Sequence, residues 1–221
     1  MTLPLDVPPG GVSAAGPADE FVVEPAEPVV GAADVIVEAV EPRPTTAAVV
    51  GDSLTVSAQD EIESALDSAG FEAVEVDGRE GRRMTHGRSD LTPGVDVVAD
   101  ILTRSKPDLW VIALGTNDVA SVDDLGGFRS EMRSILDLLP SDADVIWVDL
   151  WIRERPDAIA EANRLIRAEL RSWSGGATVV DWYVHGLDDG VITADGVHLT
   201  PLGQQLYADS IVAAIDVMFT G

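Results

Sequence analysis

The 221-residue chain carries 39 acidic against 14 basic side chains, a formal net charge of -25, and is 46% hydrophobic. That is enough apolar material for one medium domain with a proper core and hardly for two, while so acidic a surface repels phosphate backbones and argues against a nucleic-acid partner. No apolar run approaches the roughly 18–20 residues a membrane-spanning helix needs; Met1-Thr2-Leu3-Pro4-Leu5-Asp6 has neither part of a signal peptide; and the lack of cysteine removes disulfides and thiolate metal sites.

Residues 1–45 hold eight of the thirteen prolines and eight acids against one base, Arg43. Proline, alanine and like charge predict an extended, mostly disordered linker, within which Ala33–Val40 is apolar enough to form a strand or to dock. From Thr46 the pattern becomes that of a folded domain, taken to run over 46–221. Ala47–Val50 reads as a short buried strand. Leu54–Ala69 reads as one amphipathic helix on Ile62, Ala65, Leu66 and Ala69, stopped by Gly70. Phe71–Val76 alternates as a second strand, and Asp77–Pro93 is a glycine- and arginine-rich loop. A helix follows over Gly94–Ser105. The near-continuous apolar run Asp108–Leu114 is that of a central parallel strand. Gly115–Asp124 reads as a loop, Phe128–Leu139 as a helix, Ala143–Leu150 as the fourth strand and Ala158–Trp173 as a helix. Ala177–Asp181 is the fifth strand, followed by a loop of about fifteen residues and a last helix from Pro201 to about Met218. Strand and helix alternate five times, which predicts a parallel sheet with helices on both faces.

Three of the loops that follow strands hold reactive residues, and a parallel sheet brings all three to one edge. Ser53, in Gly51-Asp52-Ser53-Leu54, stands at the carboxyl end of the first strand, where open α/β sheets put their chemistry. Its N–H lies at a helix start, and the residue reads equally as a plain N-cap. A serine nucleophile needs a base near neutral pKa, and the chain has three histidines. His86 sits among arginines in a loop, and His185 follows Trp182-Tyr183, where it would pack on aromatics or line a pocket. His198 differs, because Asp195 three residues earlier can reach round a turn to its Nδ1; the plainer alternative is a chance pair at a helix start. Asn117, in Gly115-Thr116-Asn117-Asp118, would supply an amide dipole for an oxyanion, or mark a simple turn.

Taken together, Gly-Asp-Ser-Leu, Gly-Thr-Asn-Asp and Asp-Gly-Val-His-Leu-Thr resemble the SGNH, or GDSL-type, hydrolases over roughly residues 46–217. The resemblance implies a three-layer α/β/α sandwich with a five-stranded parallel, flavodoxin-like sheet, and a metal-free, cofactor-free Ser-His-Asp mechanism. Ser53 would be the nucleophile, His198 the base and Asp195 its orienter. The oxyanion hole would combine the N–H groups of Ser53 and of a glycine after the second strand with the Asn117 amide. Gly81, before Arg82, is the chosen glycine and Gly78 the alternative. No Gly-x-Ser-x-Gly elbow surrounds Ser53, which separates the chain from the α/β-hydrolases.

Similar domains stand behind membrane acyltransferase modules and modify surface polysaccharides; a detached domain of that kind would be extracytoplasmic. The implied substrate is a small-molecule or carbohydrate ester, O-acetyl for example. Arg79, Arg82, Arg83 and Arg88 would either meet that substrate or, the preferred reading, pair with the acidic surface. An O-acyltransferase is the alternative activity, and a non-catalytic binding domain the second alternative.

Overall fold

A computed structural model describes residues 43–87, 91–121 and 124–220. Arg88, the strand considered at Ala33–Val40 and all but the last three residues of the expected linker lie outside the described residues. In chain order the elements are β1 (Thr46–Gly51), α1 (Ser53–Ser57), α2 (Gln59–Ser68), β2 (Ala73–Gly78), α3 (Gly94–Arg104), β3 (Leu109–Ala113) and α4 (Thr116–Ala120). They continue with α5 (Phe128–Leu136), β4 (Asp144–Val148), α6 (Pro156–Leu170), β5 (Ala177–Val180), α7 (Trp182–Gly186) and α8 (Pro201–Thr220).

The five strands form one parallel sheet in the order β2-β1-β3-β4-β5, as the alternating pattern predicts. Because successive side chains of a strand point to opposite faces, β1 feeds two cores. Ala47 and Val49 face one layer, with Ile62 and Leu66 of α2 and Tyr207, Ile211 and Ile215 of α8. Ala48 and Val50 face the other, with Val98 and Ile101 of α3, Met132 and Ile135 of α5, and Ile159 and Ile166 of α6. Strand order reverses direction between β1 and β3, and in open α/β sheets that switch point opens a crevice at the carboxyl ends of the strands.

Four local expectations need correction. The helix read over Leu54–Ala69 is two helices, broken at the buried Ala58 (φ -109°, ψ 15°); the apolar stripe of α2 hides the break. The second strand is Ala73–Gly78, shifted toward the carboxyl edge. Phe71 is instead buried beneath the turn that closes α2, its N–H donating to Leu66 O at 3.1 Å. The loop after β3 opens with the single turn α4, and the loop after β5 with α7.

Gly51 lets the chain leave β1 tightly. A Cβ there would stand 1.8 Å from Thr55 Oγ1 and 3.2 Å from Ala113 Cβ, so α1 packs directly on the strand end. Gly51→Ala should therefore cost about 1–3 kcal/mol, the usual cost of overpacking. Urea unfolding checks this, and an unchanged midpoint would contradict it.

Candidate active site

Asp52 terminates the strand by capping α1: its Oδ1 accepts the Leu54 N–H at 3.0 Å. Ser53 follows as the first helical residue, half-buried. Its Oγ lies 3.1 Å from His198 Nε2, and His198 Nδ1 lies 2.8 Å from Asp195 Oδ2. The structure thus brings together three side chains that the sequence spreads over more than 140 positions.

A narrow loop holds Asp195 and His198. Ile192 and Leu199 bridge antiparallel, and the Thr193 N–H donates to His198 O at 2.8 Å. Inside the loop, Asp195 Oδ1 accepts the Thr193 hydroxyl at 2.7 Å and the N–H groups of Val197 and His198 at 2.9 and 3.0 Å. The Val197 N–H first, then the imidazole, the Thr193 hydroxyl and the His198 N–H, hold the Asp195 carboxyl well below the usual carboxylate range. An ionised carboxylate can only accept, so Nδ1–H donates to Asp195 and Nε2 is the ring nitrogen that faces Ser53.

Arg153, after β4, staples this loop from outside. Its N–H donates to Gly196 O at 3.0 Å, and its guanidinium reaches Ala194 O and Thr193 O at 3.3 Å. Gly196 has a positive φ of 81°, and a Cβ there would meet Arg153 Cβ at 2.8 Å.

Asn117 belongs to α4, directly after β3. Its Nδ2 is 3.2 Å from Asp52 Oδ2 and 3.1 Å from Arg82 O, so both amide hydrogens are directed at acceptors of the protein. Gly81 lies exposed in the turn Arg79–Arg82 with a positive φ of 74°. Among the described residues, the N–H groups of Ser53 and Gly81 donate to no acceptor. Gly78 is level with Gly51 in the β1–β2 ladder, and a Cβ there would stand 2.8 Å from the Val56 nitrogen of α1. Packing accounts for that glycine.

The described arginines do not act as one surface group. Arg82 is buried, donating to Gly51 O at 2.9 Å, Asp77 O at 2.5 Å, Asp77 Oδ1 at 2.6 Å and Thr92 O at 3.3 Å. It meets the preferred expectation of an acid partner in Asp77, but from a buried position that ties the loop after β2 to the end of β1. Arg79 is exposed. Arg83 lines a cleft of about 260 Å³ with His86, Asp118 and Glu131 over Phe128 and Leu125. His86 Nδ1 lies 3.3 Å from Glu131. His185 packs beside Trp182, with ring centroids 5.9 Å apart, and Asp188 lies 3.5 Å away.

Sequence reasoning missed Arg153 and the burial of Asp52, Asp118 and Arg82. Arg153 gives no signal, because its partners are backbone carbonyls some forty residues away. The cap that the sequence reading offered to Ser53 is filled by Asp52, whose burial depends on the packing of α4 and α8.

A hydrogen-bonded Ser–His–Asp chain at the carboxyl edge of a parallel α/β sandwich is a serine-hydrolase arrangement. Residues 49–206 match the model of the GDSL-like lipase/acylhydrolase family, and the chain belongs to that family; it is a hydrolase acting on esters. No curated protein matches it in sequence. Solved structures similar in fold include a crystal structure of TesA, at 21% identity over 78% of this chain and 99% of that one, TM-score 0.65. The C-terminal catalytic domain of Streptococcus pneumoniae peptidoglycan O-acetyltransferase A, carrying a methylsulfonyl adduct, is 19% identical over 78% and 93%, TM-score 0.60. A Clostridium thermocellum family 3 carbohydrate esterase is 18% identical over 79% and 96%, TM-score 0.58.

Three buried carboxyls give the fold a pH signature. Burial pushes Asp52 and Asp149 up to about 6 and Asp118 up to about 7. Between these values and their ordinary range near 3.8, the folded chain holds protons that the unfolded chain has released, so stability rises as pH falls. Asp108, Glu161, Glu169 and Asp195 shift the other way; their contribution is constant above their ordinary range near 4 and is lost only below it. Thermal unfolding at constant ionic strength should therefore show Tm rising from pH 8 to pH 5. Asp149→Asn should flatten that slope, and a Tm that falls over the same interval would contradict the assignment.

Proposed function

We propose that the chain is a serine esterase of small acyl esters, with O-acetyl groups on carbohydrate as the substrate class. The observation that carries this reading is the hydrogen-bonded chain from Ser53 through His198 to Asp195. Ser53 Oγ attacks the ester carbonyl carbon as its proton passes to His198 Nε2. Asp195 stays ionised and stabilises the imidazolium. The tetrahedral oxyanion takes hydrogen bonds from Ser53 N–H, Gly81 N–H and the Asn117 amide. Its collapse breaks the bond to the alcohol oxygen, which leaves with the proton from Nε2. Water, deprotonated in turn by His198, then attacks the acyl-enzyme and releases the acid.

The N–H groups of Ser53 and Gly81, which donate to no acceptor among the described residues, support the oxyanion assignment, and the packing reason for Gly78 favours Gly81 over it. The substrate class is supported by the site's surroundings. The side chains of His198 and Asp195 are 49% and 53% exposed, so an ester on a large polar molecule can reach Ser53. The cleft lined by Asp118, the neighbour of Asn117, offers charged hydrogen-bonding groups over an aromatic floor. The likeness to the carbohydrate esterase and to the peptidoglycan O-acetyltransferase domain is of fold, and agrees with this class without assigning it.

O-acyltransfer is the second reading, on the strength of the same likeness to the O-acetyltransferase domain. The chemistry is shared as far as the acyl-enzyme, and the acceptor decides. Ser53→Ala should lower p-nitrophenyl acetate hydrolysis by at least about 10³-fold, and a fluorophosphonate should label the parent and spare the variant. Persisting esterase activity in the purified variant would remove Ser53 as nucleophile. With an oligosaccharide acceptor present, free acetate should remain the main product; acylated sugar with little free acetate would replace hydrolysis by transfer.

A further inference from the structure

The carboxyl group beside the nucleophile is completely buried, yet no step of the reaction above uses it. As a helix cap alone a charge there is expensive, since serine or asparagine would accept the Leu54 N–H as well without burying an anion. Its surroundings are the Leu54 N–H and Thr116, the Asn117 amide, His198, Arg82 and Tyr207. None of these is an ion-pair partner in contact: the Arg82 guanidinium is taken up by Asp77 and by carbonyls.

What only a carboxylate provides at this position is an acceptor on both oxygens. Oδ1 serves the cap and Oδ2 serves Asn117. We infer that Asp52 is a positioning residue for the oxyanion donor, its second oxygen fixing which end of the Asn117 carboxamide faces the reacting carbonyl. With Asp52 Oδ2 at 3.2 Å and Arg82 O at 3.1 Å, the nitrogen end is anchored between two acceptors. Turned end for end, the amide would set its own oxygen against both. Both contacts are at the long end of the hydrogen-bond range, so an N–H can be shared with an oxyanion as charge develops, while the nitrogen is already in place. Pre-aimed dipoles of this kind act in the transition state without reorganisation.

The inference rests on the Ser53 reading, and the test separates the two. Steady-state hydrolysis of p-nitrophenyl acetate is measured for the parent, Ser53→Ala, Asn117→Ala, Asp52→Asn, Asp52→Ser and the Asp52→Asn/Asn117→Ala double variant. In Asp52→Asn the oxygen is retained by the cap and the NH₂ meets the Asn117 nitrogen, turning that amide away. Asp52→Ser keeps a cap and deletes the contact. Each Asp52 variant and Asn117→Ala should lose about 10²–10³-fold in kcat with KM changed less than about threefold. The double variant should be no worse than the poorer single by more than about threefold, because one donor is lost only once. Near-UV circular dichroism and the urea midpoint of Asp52→Ser establish that the fold is kept.

Asp52 variants within about threefold of the parent kcat, losses that multiply in the double variant, or failure of both Asp52 variants to fold would each overturn the inference. If Ser53→Ala is inactive while Asp52→Asn is not, only the inference falls. If Ser53→Ala stays active, the nucleophile assignment falls and takes it along.

Discussion

Gly51 stands level with Gly78 on one side and Ala113 on the other, and the site is assembled around that register. Parallel pairing brings the strand ends to one edge, so whatever follows β1, β2 and β3 shares a small volume. Gly51 O is the common anchor: it accepts the Arg79 N–H at 3.2 Å and an Arg82 N–H at 2.9 Å. The loop after β2 is thereby sewn to the strand that delivers Ser53. Arg82 then passes its own carbonyl to Asn117, linking the loop after β3 to the same knot. The fourth contributor, the Asp195–His198 loop, arrives from beyond β5, and Arg153 braces it from the end of β4.

Two aspartates in this cluster are driven in opposite directions. Asp195 is solvent-accessible and receives three protein donors on one oxygen besides the imidazole on the other, so its charge is stabilised. Asp52 is enclosed, and burial outweighs its own donors. Environments that separate similar carboxyls in this way assign them different tasks. In the proposed mechanism the exposed one balances the imidazolium, and the buried one is the group assigned to holding the Asn117 amide. In a chain of net charge -25 most carboxylates are solvated surface; the buried position of Asp52 beside Ser53 is what singles it out.

How much of this was legible in sequence follows from the range of the forces involved. The apolar runs of β1 and β3 and the stripes of the longer helices are local patterns, so the sheet and the sandwich could be read from them. Ser53 and Asn117 sit in short motifs at strand ends, where parallel topology forces convergence, and Asp195 and His198 in a short motif of the long connection after β5; the motifs made them legible. The break at Ala58 was not, because an alanine fits a helix interior and only packing shows the interruption. Phe71 alternates like a strand residue, yet the turn after Gly70 buries it. Arg82 looked like one of a group of surface arginines, since nothing local reveals that four oxygens lie within its reach. Arg153 could not be found at all: a side chain that bonds to backbone carbonyls leaves no mark on the residues it serves.

The balance between water and a sugar hydroxyl as acyl acceptor turns on access. A transferase must keep water from the acyl-enzyme long enough for its acceptor to bind. Half of the His198 side chain is accessible, an openness that favours water as acceptor in the proposed mechanism. On that mechanism an edge so open favours hydrolysis over transfer. The cleft of about 260 Å³ is linked to the candidate site by sequence: Asp118 lines it, while the preceding Asn117 reaches Asp52 beside Ser53. Asp118 also accepts the Met84 N–H, at 3.1 Å on one oxygen and 3.3 Å on the other. Asp118 thereby ties the short helix α4 to the loop after β2, the two elements that hold the Asn117 amide.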